Sequence, residues 1–151
     1  MPGGGKPPAR ANRKSTIEMD YRSKNILPFT YIFPTFTLTS GQSLVQTLQM
    51  QQSAQFELHE IFGSCTADAD SDEMPNNFSV LFTDQSTSLQ MSNLRVPQRI
   101  LCGPANRGYR QIRPIIFSPG AIIQADVLDL SAGNNVVTIA WTGYLVLGAL
   151  Q

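Results

Sequence analysis

From residue 26 onward, the pattern of hydrophobic and polar positions is typical of β-strands. Hydrophobic side chains recur at every second position in three stretches, and this spacing places them on one face of a strand. They are Phe78, Val80 and Phe82, then Ile123, Ala125 and Val127, and finally Val137, Ile139, Trp141 and Leu145. Each of the three stretches therefore predicts a half-buried strand.

Other segments carry the same signal less cleanly. Residues 26–39 are rich in aromatic and β-branched side chains, but Pro28 and Pro34 interrupt them. Proline has no backbone N–H, so these breaks favour edge strands or bends. Residues 44–50 fit either a strand or a helical turn. Residues 111–117 predict a strand that is interrupted at its proline.

Residues 54–62 predict a strand whose one face carries Phe56, Leu58, Glu60 and Phe62. A polar segment, residues 63–77, follows this strand and is expected to form a loop. Residues 86–93 predict a weaker strand or loop. Residues 95–110 predict a second irregular region because they contain two prolines and two glycines.

The C-terminal part carries the most specific turn signal. Ser118-Pro119-Gly120 predicts a type II turn, in which proline presets φ and glycine accepts the positive φ that follows. Residues 121–130 and the closing strand after them are expected to pair as an antiparallel hairpin. Gly143 within that closing strand predicts a bulge or a bend.

This pattern gives seven to nine short strands and no convincing amphipathic helix. We therefore expect an all-β fold, an antiparallel two-sheet jelly-roll-like sandwich over residues 26–151, preceded by an extended basic arm over residues 1–25. An immunoglobulin-like sandwich is the alternative, but the Cys…Trp…Cys order that supports it is missing.

Composition adds a prediction about the surface. Charged residues make up 15% of the chain, whereas about 25% is usual for soluble domains. Interface cores are depleted in charge. The low charge therefore favours lasting protein contacts over a free monomer.

Charge is distributed unevenly along the chain. Residues 1–25 hold six cations and two acids, a net charge of +4, and the remainder has a net charge of −4. The cations of the arm are Lys6, Arg10, Arg13, Lys14, Arg22 and Lys24. A basic arm can order on the acidic body of a neighbouring subunit; an inert tail is the alternative.

The positive charge of the body is confined to five arginines, Arg95, Arg99, Arg107, Arg110 and Arg113. We interpret them as partners of Asp68, Asp70, Asp72 or Glu73 in a neighbouring subunit, because guanidinium binds carboxylate through two hydrogen bonds. Nucleic acid is the less favoured partner, since the body is acidic. A weak calcium site in this acidic run is another alternative, although the calcium-loop pattern fails at Glu73 and Ser79.

Aromatic side chains cluster where the arm meets the body. Tyr31 and Phe33 belong to this cluster, with Tyr21, Phe29 and Phe36. They fit core packing of the first strand or an apolar patch buried against a partner. Tyr109 and Tyr144 are candidates for a sugar-binding face.

Enzyme chemistry has little support in the sequence. His59 is the one histidine, and no nucleophile, zinc-protease, phosphate-loop or dinucleotide motif is present. We expect no catalytic residue, no metal and no cofactor. Cys65 and Cys102 fit unpaired, partly buried thiols, with a disulfide as the alternative.

The N-terminus has no apolar core of a signal peptide, and the longest apolar stretches are too short to span a membrane. The sequence therefore predicts a protein that is made in the cytoplasm and has no membrane partner.

Three stretches, residues 54–61, residues 113–120 and Asp126-Val127 followed by Thr142-Gly143-Tyr144, resemble small virion proteins of tailed bacteriophages. The similarity covers roughly residues 26–148 and leaves out the basic arm. It implies a jelly-roll-like cement or decoration protein, a homo-oligomer (a trimer or a dimer) bound to the major capsid protein. It implies no catalytic residue.

The leading expectation is therefore a structural virion protein that bridges major capsid subunits. A neck or tail component of the same particle is the first alternative, and a glycan-binding jelly-roll module is the second.

Overall fold

A computed structural model describes residues 25–67, 77–102 and 107–148. These residues form ten strands and one short helix: β1 (Asn25–Ile32), β2 (Phe36–Leu38), β3 (Ser43–Gln49), β4 (Ala54–Ala67), β5 (Phe78–Asp84), β6 (Leu89–Gln90), β7 (Val96–Pro97), α1 (Gln98–Leu101), β8 (Tyr109–Phe117), β9 (Ile122–Asp129) and β10 (Asn135–Leu147). Residues 44–50 thus form a strand, not a helical turn. The strand that starts at Ala54 runs five residues further than expected.

The strands form two antiparallel five-stranded sheets that pack against each other. The first sheet has the order β1-β10-β4-β8, with β2 also beside β10. The second has the order β3-β9-β5-β6, with β7 also beside β5. When β1 and β2 are counted as one position and β6 and β7 as another, this strand order is the jelly-roll arrangement, which confirms the predicted fold class.

The hydrophobic core lies between the two sheets, where the inward-facing side chains of both sheets meet. The side chains predicted to be buried on β5, β9 and β10 all lie there, and most have no exposed surface. Trp141 is at the centre, with ring centroids 4.9 Å from Phe82, 5.3 Å from Phe117 and 5.6 Å from Phe33. Aromatic pairs at such spacings add stability beyond the area they bury.

The predicted turn is confirmed. The N–H of Ala121 donates to the carbonyl of Ser118 over 3.1 Å, and Gly120 has a φ of +73°. A positive φ at this position is the mark of a type II turn. The turn connects β8 to β9 and so carries the chain from the first sheet to the second.

The predicted hairpin of the last two strands is wrong. β9 pairs with β3 and β5, whereas β10 pairs with β1, β2 and β4 in the other sheet. The connection between them crosses the edge of the sandwich. Alternation specifies which face of a strand is buried, but it does not specify the neighbouring strand.

The prediction for the face of β4 is wrong in its second half. Phe56 and Leu58 are fully buried, but the next buried residue is Ile61, and Phe62 is only partly buried. The register shifts between β4 and both of its neighbours at this point, after Leu58. His59 is the extra residue, so the face that points inward changes there.

Candidate functional site

A row of polar residues crosses the outer face of the first sheet. Thr30 on β1 is opposite Thr142 on β10, Thr142 is opposite Glu60 on β4, and Glu60 is opposite Arg110 on β8. The neighbouring row contains Tyr31, Trp141 and Ile61, which are buried in the core. Successive residues of a strand point to opposite faces, so the polar row faces outward.

The bulge on β4 places His59 beside this row. Its imidazole is edge-on to the ring of Tyr144, with centroids 5.0 Å apart. Nε2 of His59 is 3.7 Å from a carboxylate oxygen of Glu57, two residues earlier. In an uninterrupted strand His59 and Glu60 would lie on opposite faces, and the bulge brings both to the same side.

Gly143 permits this arrangement on the opposite strand. A Cβ atom built on Gly143 would lie 1.9 Å from the carbonyl oxygen of Glu57. Atoms cannot approach that closely, so the backbones of β4 and β10 meet here only because Gly143 has no side chain. The irregularity predicted at Gly143 is therefore confirmed as a register shift between Thr142 and Gly143, although the extra residue lies on β4.

Together these irregularities surround a groove of about 480 Å³ on the outer face of the first sheet. Its wall includes the polar row, His59 and the rings of Pro28 and Tyr144. Phe29 borders the groove, but its ring packs inward against Tyr31. The lining residues are Pro28, Phe29, Thr30, His59, Glu60, Arg110, Thr142, Gly143 and Tyr144. The groove therefore combines ring surfaces with hydroxyl, imidazole, carboxylate and guanidinium groups.

A second feature lies next to the groove, along β8, which among the described strands stands at the edge of the first sheet. Between its two paired segments, β8 has four residues, 111–114, where β4 has only His59. These four residues, which we call the arch, are a bulge in β8 that does not pair with β4. Ile112 on this arch is 95% exposed, and Ile116 beyond it is 62% exposed.

The β8 edge also carries positive charge. Arg110 and Arg113 are exposed on β8, and Arg107 is exposed just before it. Pro114 on the arch has no N–H to offer a further strand, so a partner here would contact side chains more than backbone. The β8 edge, Tyr109–Phe117 with Arg107, is thus an apolar and cationic surface.

Of the predicted partner-binding residues, Arg107 and Arg110 are brought together at this edge. Tyr31 and Phe33 are not on a surface: they are 7% and 0% exposed and pack in the core. The suggestion that they bind a partner is corrected, because the side chains that alternate inward on β1 and after it are needed to close the sandwich. Arg95 is also engaged within the chain, 2.6 Å from Asp126.

The remaining predicted residues lie outside the described residues. They are Lys6, Arg10, Arg13, Lys14, Arg22 and Lys24 of the arm and Asp68, Asp70 and Asp72 of the acidic segment. The calcium-site alternative falls on the same acidic segment. Among residues that the structure describes, no group of three or more His, Cys, Asp and Glu side chains is placed to hold a metal ion.

The two cysteines are free and fully buried. Burial, with a smaller contribution from the charge of Asp129, raises the pKa of Cys65 to about 11. Burial raises the pKa of Cys102 to about 12. A thiol that keeps its proton is a poor nucleophile, so neither cysteine is poised for covalent chemistry.

Within the described ranges, no helix is long and apolar enough to cross a membrane.

The groove was missed by sequence reasoning, which considered His59 and Tyr144 only separately. Its residues come from four strands that are distant in the chain, and their proximity depends on strand order. One local signal was present: hydrophobic residues at 56, 58 and 61 break the two-residue period at His59. A bulge adds one residue to a strand, so it interrupts the two-residue alternation of the sequence at that point.

No protein-family model matches the chain, and no curated protein matches it significantly. The resemblance to virion proteins of tailed phages is neither supported nor contradicted by these comparisons, and it stays a prediction.

Proposed function

We propose that this protein is a structural assembly protein, a capsid decoration or cement protein that forms homo-oligomers and bridges major capsid subunits. The observation that carries the proposal is the β8 edge. Within the described residues, a side chain as large as isoleucine that is 95% exposed on an edge strand is unusual for a monomer. Such an edge is explained if a second copy of the chain covers it.

Charge complementarity favours a copy of the same chain as the occupant. The β8 edge carries Arg107, Arg110 and Arg113, and four of the nine acids of the body are concentrated in residues 68–73. In a symmetric ring the cationic edge of one copy meets the acidic segment of the next. Isoleucine side chains would supply buried apolar area, and the ion pairs would fix the orientation.

The test is the native mass of purified full-length protein, measured by analytical ultracentrifugation over a range of concentrations. We expect a trimer or a dimer. Ile112→Lys with Ile116→Lys adds two charges to the apolar part of the β8 edge, so the variant should sediment as a monomer. A matched control is Leu89→Lys with Leu94→Lys, which changes two leucines of similar exposure on and after β6, and it should keep the wild-type mass.

A wild-type protein that is monomeric at every concentration, or a β8-edge variant that keeps the wild-type mass, would contradict the proposal. Charge complementarity has its own test. Arg113→Glu should weaken association, and adding Asp70→Lys and Asp72→Lys to it should restore association. If the triple variant associates no better than Arg113→Glu alone, the acidic segment is not the partner of this edge.

A neck or tail component would use the same edge in a ring. The two locations differ in copy number, because decoration repeats over the whole capsid whereas a neck ring occurs once per particle. Quantifying the protein against the major capsid protein in purified particles distinguishes them.

A further inference from the structure

The geometry points to a second binding site: we propose that the groove on the outer face of the first sheet binds a neutral saccharide. This site adjoins the β8 edge and shares Arg110 with it, but none of the arch residues 111–114 lines the groove. Its volume of about 480 Å³ lies within the range of small-molecule sites, about 300–1,000 Å³. One or two sugar rings have the matching size.

The shape of the groove depends on a departure from regular pairing. A bulge loses ladder hydrogen bonds, and regular strands would leave only alternating residues on this face. Here His59 and Glu60 are adjacent in sequence and both line the groove. Bulges often mark sites because they re-aim side chains in this way.

The two sides of the groove differ as a sugar ring requires. Pro28 and Tyr144 present ring surfaces, which pack against the C–H face of a pyranose. The polar row presents Thr30, Thr142, Glu60 and Arg110 along the other side. Carboxylate and guanidinium groups each bind two neighbouring hydroxyls at once, because both are planar forks.

Charge selects a neutral ligand over an ionic one. Glu60 and Arg110 are opposite each other in the sheet and carry opposite charges. A phosphate or a sialic acid near Arg110 would also meet the carboxylate of Glu60, and an ammonium group near Glu60 would meet Arg110. Sugar hydroxyls both donate and accept hydrogen bonds, so they satisfy both groups without repulsion.

Glu57 acts on the site through His59. Its carboxylate oxygen lies 3.7 Å from Nε2 of His59, too far for a hydrogen bond but close enough to attract the imidazole when it is protonated. We assign Glu57 as a positioning residue, since it is not among the residues that line the groove. In the protonated state, this attraction restrains the imidazole beside the ring of Tyr144.

The experiment is a glycan array probed with the full-length protein, with neutral, sialylated and phosphorylated saccharides as separate arms. Calorimetry with the strongest neutral saccharide then compares variants. Glu60→Gln removes the charge but keeps the shape, and Thr30→Val removes one hydroxyl. Each should weaken binding about tenfold, the usual effect of losing one good hydrogen bond to a ligand.

Thr47→Val is the matched control, because Thr47 is also an exposed strand threonine but lies on β3 in the other sheet. The affinity of this variant for the saccharide should equal that of the wild type. The native mass of every variant is measured alongside. A loss of saccharide binding at unchanged native mass separates this site from the assembly contact. The restraint of the imidazole by Glu57 is checked by the histidine ring signals of Glu57→Gln in NMR spectra, which should broaden.

Four results would overturn the proposal. They are an array with no binding, binding confined to the sialylated or phosphorylated arms, affinity that is the same in Glu60→Gln and Thr30→Val as in the wild type, and binding that disappears in EDTA. The last would place the ligand at a bound cation instead of in the groove.

Discussion

At Gly143 the backbones of β10 and β4 approach so closely that no side chain fits between them. The carbonyl oxygen of Glu57 lies 1.9 Å from where a Cβ would stand. We expect Gly143→Ala to lower the free energy of unfolding by at least about 2 kcal/mol, since the obstacle is backbone and cannot rotate away. Urea unfolding followed by tryptophan fluorescence measures the effect through Trp141.

Gly133 provides the control for this substitution. A Cβ there would meet nothing within 4 Å, and its φ is not positive. Gly133→Ala should change stability by no more than about 1 kcal/mol in either direction. If Gly143→Ala were equally mild, the close approach of the two strands would not be a constraint, and the origin proposed for the groove would be wrong.

The buried thiols give a pH dependence whose sign follows from their pKa values. An unfolded cysteine loses its proton near pH 9.0, whereas Cys65 and Cys102 keep theirs to about 11 and 12. The folded chain therefore holds more protons between these values, and its stability falls as the pH rises above 9.0. Unfolding midpoints at increasing pH should show this loss.

The variant Cys65→Ala with Cys102→Ala isolates the contribution of the thiols. Its stability should fall less steeply with pH over the same window, because the other titrating groups are unchanged. Equal slopes for the variant and the wild type would contradict the assignment. A thiol reagent at neutral pH should likewise leave the folded protein unmodified and label both cysteines in urea.

At the scale of elements, a buried polar network joins the two sheets where β9 passes to β10. The carboxylate of Asp129, which is 3% exposed, accepts hydrogen bonds from the backbone N–H of Gly41 and Ser131 and from Asn135 Nδ2. The lengths are 3.0, 3.1 and 2.5 Å, respectively. Asp129 belongs to one sheet and Asn135 to the other, so the network fixes the crossover.

We expect Asp129→Ala to cost about 3 kcal/mol, because it leaves several buried donors without an acceptor. Asp126, three residues earlier, is the matched control: it forms a 2.6 Å ion pair with Arg95, but both side chains are partly exposed. Asp126→Ala should cost less than about 1 kcal/mol, as solvent screens such pairs. Chemical unfolding of both variants tests this ranking. The ranking is wrong if Asp126→Ala is the more destabilised of the two.

Elements were predictable from sequence to the extent that local rules govern them. The period of two located β5, β9 and β10, and Pro119 with Gly120 located a type II turn. Pairing is a different matter, because β10 contacts β1, β2 and β4, and no local pattern distinguishes these partners from β9. The polar residues before Ala67 likewise gave no strand signal. They are part of β4 because β10 pairs with β4 along its whole length.

For the molecule as a whole, the candidate site was only partly predictable for the same reason. Arg107 and Arg110 were selected because arginines cluster in the sequence, and both are exposed at the β8 edge. The groove requires Thr30, Glu60, Arg110 and Thr142 to meet across four strands, which the strand order alone decides. Its single local signal was the broken period at His59.

The basic arm gives the last prediction, because its charge opposes that of the rest of the molecule. Residues 1–25 have a net charge of +4 and the remainder has −4. The first strand begins at Asn25, so removal of residues 1–24 takes away no part of the described sandwich. We expect this truncation to leave the thermal unfolding midpoint unchanged but to weaken binding to capsid particles.

Replacing the six arm cations with glutamine in the full-length chain separates charge from chain length. If the arm binds an acidic neighbour, the glutamine variant should bind particles as weakly as the truncated protein. Wild-type binding should also fall as salt rises, because salt screens exposed charges, and the two variants should lose most of that salt dependence. If the truncated protein occupies particles as fully as the wild type, the arm does not contribute to particle binding.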